Sequence, residues 1–210
     1  MHLPIVFTVL IVLYRLYCAL PRRRNAVQHS NTKSLAVFLG SGGHTSEALT
    51  LLSALDFERY CPRTYVISEG DSLSAQRARD LESSKASSTK YTILTIPRAR
   101  RVHQSLATTP PTALHSLLSC IYHVTLARKP FADILILNGP GTCFVLCIAV
   151  CVNRFLGLSA PKTIYIESFA RVESLSLSGK LLYPFVDRFV VQWRQLLKKA
   201  KGAEFRGLLV

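Results

Sequence analysis

Acidic residues are scarce in this chain of 210 residues: 12 Asp and Glu stand against 26 Lys and Arg, a formal charge of +14. So one-sided a balance calls for a polyanionic partner (nucleic acid, an anionic membrane surface or a phosphorylated ligand) without choosing among them. Charged residues as a class are also few, 18% against 49% hydrophobic, with a mean hydropathy of +0.26. That excludes disorder as the main state. No glycine cluster is followed by Gly-Lys-Ser/Thr, so a P-loop is excluded. Zinc and RNP motifs are missing and no aromatics interleave with the basic residues, so no nucleic-acid partner is expected. Cys143, Cys147 and Cys151 lie four apart, but the run around them holds no His or carboxylate to complete a site. They read as packed hydrophobes, and no metal or cofactor is expected. There is no Asn-x-Ser/Thr acceptor, in weak agreement with a cytosolic face.

What the sequence does have begins at its N-terminus. Leu3 to Leu20 is an 18-residue apolar run broken by one charge, Arg15. At about 1.5 Å per residue this is close to the minimum for a bilayer core of about 30 Å, with Arg15 placed to snorkel. A cleaved signal peptide needs basic residues ahead of the run and a small-residue cleavage site behind it. Here Arg22, Arg23, Arg24 and Lys33 follow the run and only His2 precedes it. The expectation is a transmembrane signal anchor over residues 1–21, N-terminus luminal and bulk cytosolic. A basic juxtamembrane linker over 22–34 would then lie on anionic lipid.

Beyond the linker, short β-branched runs alternate with longer amphipathic stretches. Strands are predicted over 35–39, 63–68, 91–96, 133–137, 163–166 and 187–192. Helices are predicted after the first glycine cluster and over 72–84, 110–129 and 141–155. Fully apolar strands separated by helices call for a parallel sheet covered on both faces: the fold class is α/β, Rossmann-like and doubly wound, over residues 35–192. Ligands bind such sheets at the carboxyl ends of the strands, so the loops after strands one, four and five are where function is sought.

The first of these loops reads Gly40-Ser41-Gly42-Gly43-His44-Thr45-Ser46-Glu47, and the fourth Asn138-Gly139-Pro140-Gly141-Thr142. Glycines let backbone approach a bulky anion, and a helix N-terminus supplies unpaired N–H groups, so two such turns on one edge suit a diphosphate. Ordinary turn chemistry is the plainer account of the fourth loop. Thr45 stands where a dinucleotide fingerprint wants its third glycine, yet Glu69 after strand two resembles a ribose-binding acid. A membrane-anchored NAD(P)-dependent oxidoreductase is therefore the alternative. His44 is either a cap or packed histidine, or a general base. Glu167, after strand five, either binds sugar hydroxyls or holds a neighbouring His, or else caps the next helix. Arg98, Arg100, Arg101 and His103 form a basic loop that is either solvated or set against lipid headgroups or the diphosphate. The ten apolar residues from Cys143 to Val152 are too few to span a bilayer; they are buried centrally or press one face into its interface.

Five ordered blocks, GSGGHTSEALTLL, IPRARRVHQS, DILILNGPGTC, YIESFARVESLS and DRFVVQW, carry a resemblance that covers essentially the whole chain. It is to the family of membrane-anchoring subunits of the eukaryotic UDP-N-acetylglucosamine transferase in dolichol-linked oligosaccharide synthesis. That family is similar to the acceptor-binding half of a GT-B glycosyltransferase. The resemblance implies a chain that does not turn over alone. It would recruit a soluble, UDP-N-acetylglucosamine-binding catalytic subunit to the cytosolic face of the endoplasmic reticulum membrane. The pair would add the second N-acetylglucosamine to a dolichol-diphosphate acceptor in protein N-glycosylation. Gly40, Ser41, Gly42, Gly43, Asn138, Gly139, Gly141, Thr142, Arg98 and Arg101 would hold the acceptor diphosphate, and His44 and Glu167 would be the catalytic pair. The tail over 193–210, with Arg194, Lys198, Lys199 and Lys201 as basic additions, would dock the partner. A GT-B enzyme needs two facing sheets, and this chain has the strands for one.

Overall fold

The computed structural model describes residues 3–20, 32–85, 90–101, 104–127 and 131–209; most of the expected linker, with Arg22, Arg23 and Arg24, and also His103 lie outside the described residues. Six strands fall where apolar runs predict them: β1 (Leu35–Leu39), β2 (Arg63–Ser68), β3 (Tyr91–Ile96), β4 (Ile134–Asn138), β5 (Lys162–Ile166) and β6 (Arg188–Val191). A seventh, β7 (Glu204–Phe205), is too short to carry a periodic signal. All pair in parallel, in the order β3-β2-β1-β4-β5-β6-β7. The order reverses between β1 and β4, which places a crevice beyond the carboxyl ends of those two strands.

Alternate residues of each strand serve opposite faces. Leu35, Val37 and Leu39 of β1, with Tyr65 and Ile67 of β2, pack under α2 (Gly43–Ser53) and α3 (Ser72–Lys85). Ala36 and Phe38, with Leu135 and Leu137 of β4, join a larger core under α4 (Thr109–Ile121) and α5 (Thr142–Leu156). Of the two readings of the Cys143–Val152 run, central burial is the observed one: Cys143, Leu146, Cys147, Ala149 and Val150 are all at most 1% exposed. Burial pushes the Cys120 thiol up to about 12 and raises that of Cys143 further, so both are inert packing groups. Among the described residues, no cluster of His, Cys, Asp and Glu is arranged to hold a metal ion.

The N-terminal run forms α1 (Leu3–Ala19), apolar and exposed on every side from Ile5 to Tyr14, which packs on α5. It has 17 residues, and among the described residues no helix is long and apolar enough to cross a membrane. Arg15 lies over the carboxyl end of α5: a Cβ on its left-handed cap Gly157 would stand 2.6 Å from Arg15 Nη1. A cation there meets the negative end of the helix dipole, so the one charge of the run faces the domain.

The tail beyond residue 192 is part of the sheet layer. Leu196 and Ala200 are buried and β7 extends the edge of β6. Arg188 and Arg206 flank Glu204 and hold its carboxyl down at about 2. A lowered folded value stabilises above the ordinary carboxyl range and is lost on acidification. The edge pairing of β7 is therefore expected to persist from neutrality to about pH 4 and to loosen towards pH 2. Amide exchange at Phe205 checks this.

Candidate functional site

Two glycine turns meet at the reversal point. Gly42 caps α2 and Gly141 caps α5, and neither helix start receives a side-chain cap; Cys143 N–H donates to Pro140 O at 2.8 Å, and the positive ends of both helix dipoles meet at the crevice. The turns touch through glycine: a Cβ on Gly40 would lie 2.8 Å from both Asn138 O and Gly139 Cα, and one on Gly139, at φ +142, would lie 2.9 Å from Gly40 Cα. Because these neighbours are backbone, they have no room to yield. Gly40→Ala is expected to force the loops apart and destabilise the chain by about 1–3 kcal/mol. Denaturant midpoints of the variant check this. Ser41, between the turns, takes φ 59, a left-handed conformation unusual for a residue with a side chain.

The cavity over these turns has a volume of about 910 Å³. Gly40, Ser41, His44, Gly139, Gly141 and Thr142 line it, as do Arg98, Arg100, Arg101 and Arg171. None of the four arginines forms an ion pair with a carboxylate among the described residues. The basic loop is fixed by its backbone: Ala99 N–H donates to Thr142 Oγ1 (3.1 Å), Thr112 donates to Ala99 O (2.9 Å), and Arg98 Nε donates to Glu69 O (2.8 Å). Thr142 thus ties the second glycine turn to the arginines. Across the opening, Phe144, Leu177 and Leu181 give an apolar rim, the last two from the short helix α6 (Leu177–Leu182). Cationic and apolar side chains thus share one cavity wall, which suits an anion carried on an apolar chain.

Most residues named from the sequence come together here, and Arg171, quoted only in passing, joins them. Gly42 and Gly43 stand at the start of α2 rather than on the cavity wall. Glu167 does not line the cavity. It is fully buried and accepts from Ser168 N–H (3.1 Å), Ser176 N–H (3.0 Å) and Ser176 Oγ (3.2 Å), which holds the loop from β5 to the N-cap of α6. The N-cap itself is Ser176, whose Oγ accepts from Gly179 N–H, and Glu167 braces it from behind. Burial and the nearby Glu167 charge raise the Tyr165 phenol, which stays a neutral donor.

The acid linked to His44, through the Asn138 amide, is Glu47. Its Oε2 accepts from Asn138 Nδ2 (3.0 Å) and its Oε1 from Ser168 Oγ (2.8 Å), while Asn138 Oδ1 lies 2.7 Å from His44 Nδ1. The local signal is a Glu three residues after the His on the first turn of α2. Its partners are 91 and 121 residues away and carry no mark of the pairing.

Sheet order, crevice and doubled helix starts define the class: a Rossmann-like, doubly wound α/β domain with its site at the reversal point. Solved structures agree at the level of the fold. A putative UDP-N-acetylglucosamine 2-epimerase from Listeria monocytogenes superposes with TM-score 0.57 at 16% identity, over 82% of this chain and 43% of that one. Arabidopsis thaliana UGT89C1 complexed with quercetin gives 0.50 at 15%, over 85% and 51%. The chain spans about half the length of each. Residues 35–209 match the family described as oligosaccharide biosynthesis protein Alg14 like, and the chain belongs to that family. Similar proteins called UDP-N-acetylglucosamine transferase subunit ALG14 occur in Cryptococcus neoformans (49% identical, 97% of this chain and 94% of that one) and in Schizosaccharomyces pombe (48%, 89% and 90%). The one from Homo sapiens is 39% identical, over 84% of this chain and 83% of its own. Nothing in this kinship supports the oxidoreductase alternative. Thr45, at the third glycine position, is buried against Ser74 Oγ at 2.6 Å and packs the helix where a dinucleotide fold would bring a glycine.

Proposed function

We propose that this chain is the acceptor-binding, membrane-anchoring subunit of a heteromeric UDP-N-acetylglucosamine transferase. A separate soluble subunit supplies the UDP-sugar half, and the acceptor is an N-acetylglucosaminyl diphosphate on a dolichol chain. The observation that carries the reading is the convergence of two uncapped helix starts and four carboxylate-free arginines on one cavity with an apolar rim. Two phosphates fill the floor, the isoprenoid leaves over Phe144, Leu177 and Leu181, and the sugar lies against His44. His44 acts as general base towards the acceptor hydroxyl, and Glu167 shapes the loop beside it.

The membrane placement rests on two surfaces. One is α1, apolar from Ile5 to Tyr14 apart from Thr8. The other is a row at spacing four on α4 and the π-helical turn that continues it (Leu114, Leu118, Tyr122 and Leu126), all exposed. Residues 97–132 contain no Asp or Glu, so this row sits in a stretch with only positive formal charge, as an anionic bilayer surface requires. The endoplasmic reticulum, the cytosolic face and partner docking through residues 193–210 follow from the family reading.

Flotation of the full chain with anionic vesicles tests both parts. The chain is expected to float with plain vesicles and to be retained more strongly when they carry an isoprenoid-diphosphate N-acetylglucosamine. Arg101→Ala/Arg171→Ala should remove the acceptor-dependent increment and leave plain flotation intact. Equal flotation with and without the acceptor, or tight binding of NADPH instead, would contradict the proposal.

A further inference from the structure

The partners around His44 determine which of its ring nitrogens carries the proton. An ionised carboxylate only accepts hydrogen bonds, so the Asn138 atom facing Glu47 must be the amide nitrogen. The atom facing His44 is then the amide oxygen, which also only accepts. At 2.7 Å from that oxygen, His44 Nδ1 must be the protonated nitrogen, and Nε2 is left with the lone pair. Ser168 completes the relay from the other side: its hydroxyl donates to Glu47 Oε1, and its oxygen accepts from Ala170 N–H at 3.3 Å. Each group in the series has one permitted orientation, because Glu47 at its centre can take only one role.

We propose that Glu47 is a positioning residue which, by locking the Asn138 amide, fixes neutral His44 as its Nδ1–H tautomer with Nε2 as the basic atom at the cavity. The inference rests on the reading of His44 as general base. As the acceptor hydroxyl oxygen bonds to the anomeric carbon of the donor sugar, the bond from that carbon to the UDP oxygen breaks and its electron pair leaves with UDP. The hydroxyl proton passes to Nε2. The imidazolium so formed keeps its Nδ1–H on Asn138, and the Glu47 charge stabilises it through the amide. With Glu47 gone, the amide is free to turn. Its NH₂ would then face Nδ1, the proton would move to Nε2, and the base would be blocked. Fully buried Asn138 has no water to arbitrate between the two orientations.

Two readouts separate this relay from the function it serves. In the full chain labelled with ¹⁵N-histidine, the His44 ring is expected to show the Nδ1–H pattern in the unaltered protein, and a mixed or reversed pattern in Glu47→Ala. An Nε2–H pattern in the unaltered protein, or no change in the variant, overturns the proposal. In the transferase reconstituted with its soluble partner, Glu47→Ala should lower kcat roughly 10²- to 10⁴-fold while acceptor KM moves little. The exchange Glu47→Gln/Asn138→Asp keeps every hydrogen bond with the charge moved one position along. It should recover activity above both single variants, and a double variant no better than Asn138→Asp alone overturns the proposal. If the tautomer shifts as expected while kcat stays unchanged, the relay stands and the general-base reading of His44 fails.

Discussion

Glu82→Ala is expected to lower the stability of the chain by about 3–5 kcal/mol, the largest effect of any single substitution outside the site. Glu82 is fully buried and binds Arg63 in fork geometry, at 2.6 Å to Nε and 2.8 Å to Nη2, while accepting from Tyr65 OH at 2.7 Å. Arg63 itself is 2% exposed, donates to Phe57 O and Tyr60 O, and stacks 4.2 Å from the Phe57 ring centre. The pair pins α3 to the first residue of β2. Removing the acid leaves a guanidinium with no water and no counter-charge, which costs more than the pair contributes when intact. Arg63→Met/Glu82→Leu should recover much of the loss. Recovery should stay partial, because the Phe57 and Tyr60 carbonyls lose their donor. Denaturant midpoints of the three variants measure this, and a loss under about 1 kcal/mol for Glu82→Ala would place the pair in the class of surface ion pairs.

His44→Ala should reduce turnover of the reconstituted transferase roughly 10²- to 10⁴-fold while leaving the partner bound and the lipid acceptor held. The discriminating feature is the separation of effects. A chain that merely tethers a self-sufficient partner would tolerate the change, and a histidine that only caps or packs would lose stability along with activity. Co-purification of the partner, acceptor-dependent flotation and kcat, measured on one preparation, distinguish these three outcomes.

The sheet was largely legible because parallel strands covered on both faces must be apolar throughout. The runs at 35–39, 63–68 and 91–96 match the observed strands end to end. The C-terminal part was not, because α6 has six residues and β7 two, too few for a period to register. For that reason β7, which pairs with β6 at the sheet edge, left no mark in the sequence reading of residues 193–210. The glycine turns announced the cavity, since few other roles ask for two of them after strands at the reversal point. The surroundings of Glu167 were not legible, for a physical reason. Glu167 occupies the expected place at the end of β5, but its oxygens are taken up by Ser168 and Ser176, and the carboxylate linked to the histidine, through Asn138, is Glu47 on α2. Arg63 and Glu82 show the same limit: 19 residues apart, they look like ordinary surface charges until the fold buries them together. Arg15, which hydropathy alone would send to the headgroups, lies beside Gly157 at the end of α5, a proximity across 142 residues that no local pattern marks.

The central claim is that this chain is one half of an enzyme, and a transfer assay with purified components tests it most directly. N-acetylglucosamine transfer from UDP-N-acetylglucosamine to an isoprenoid-diphosphate acceptor is followed with the full chain alone, the soluble partner alone and the two mixed. Transfer only in the mixture is the predicted result; turnover by this chain without its partner would contradict the account.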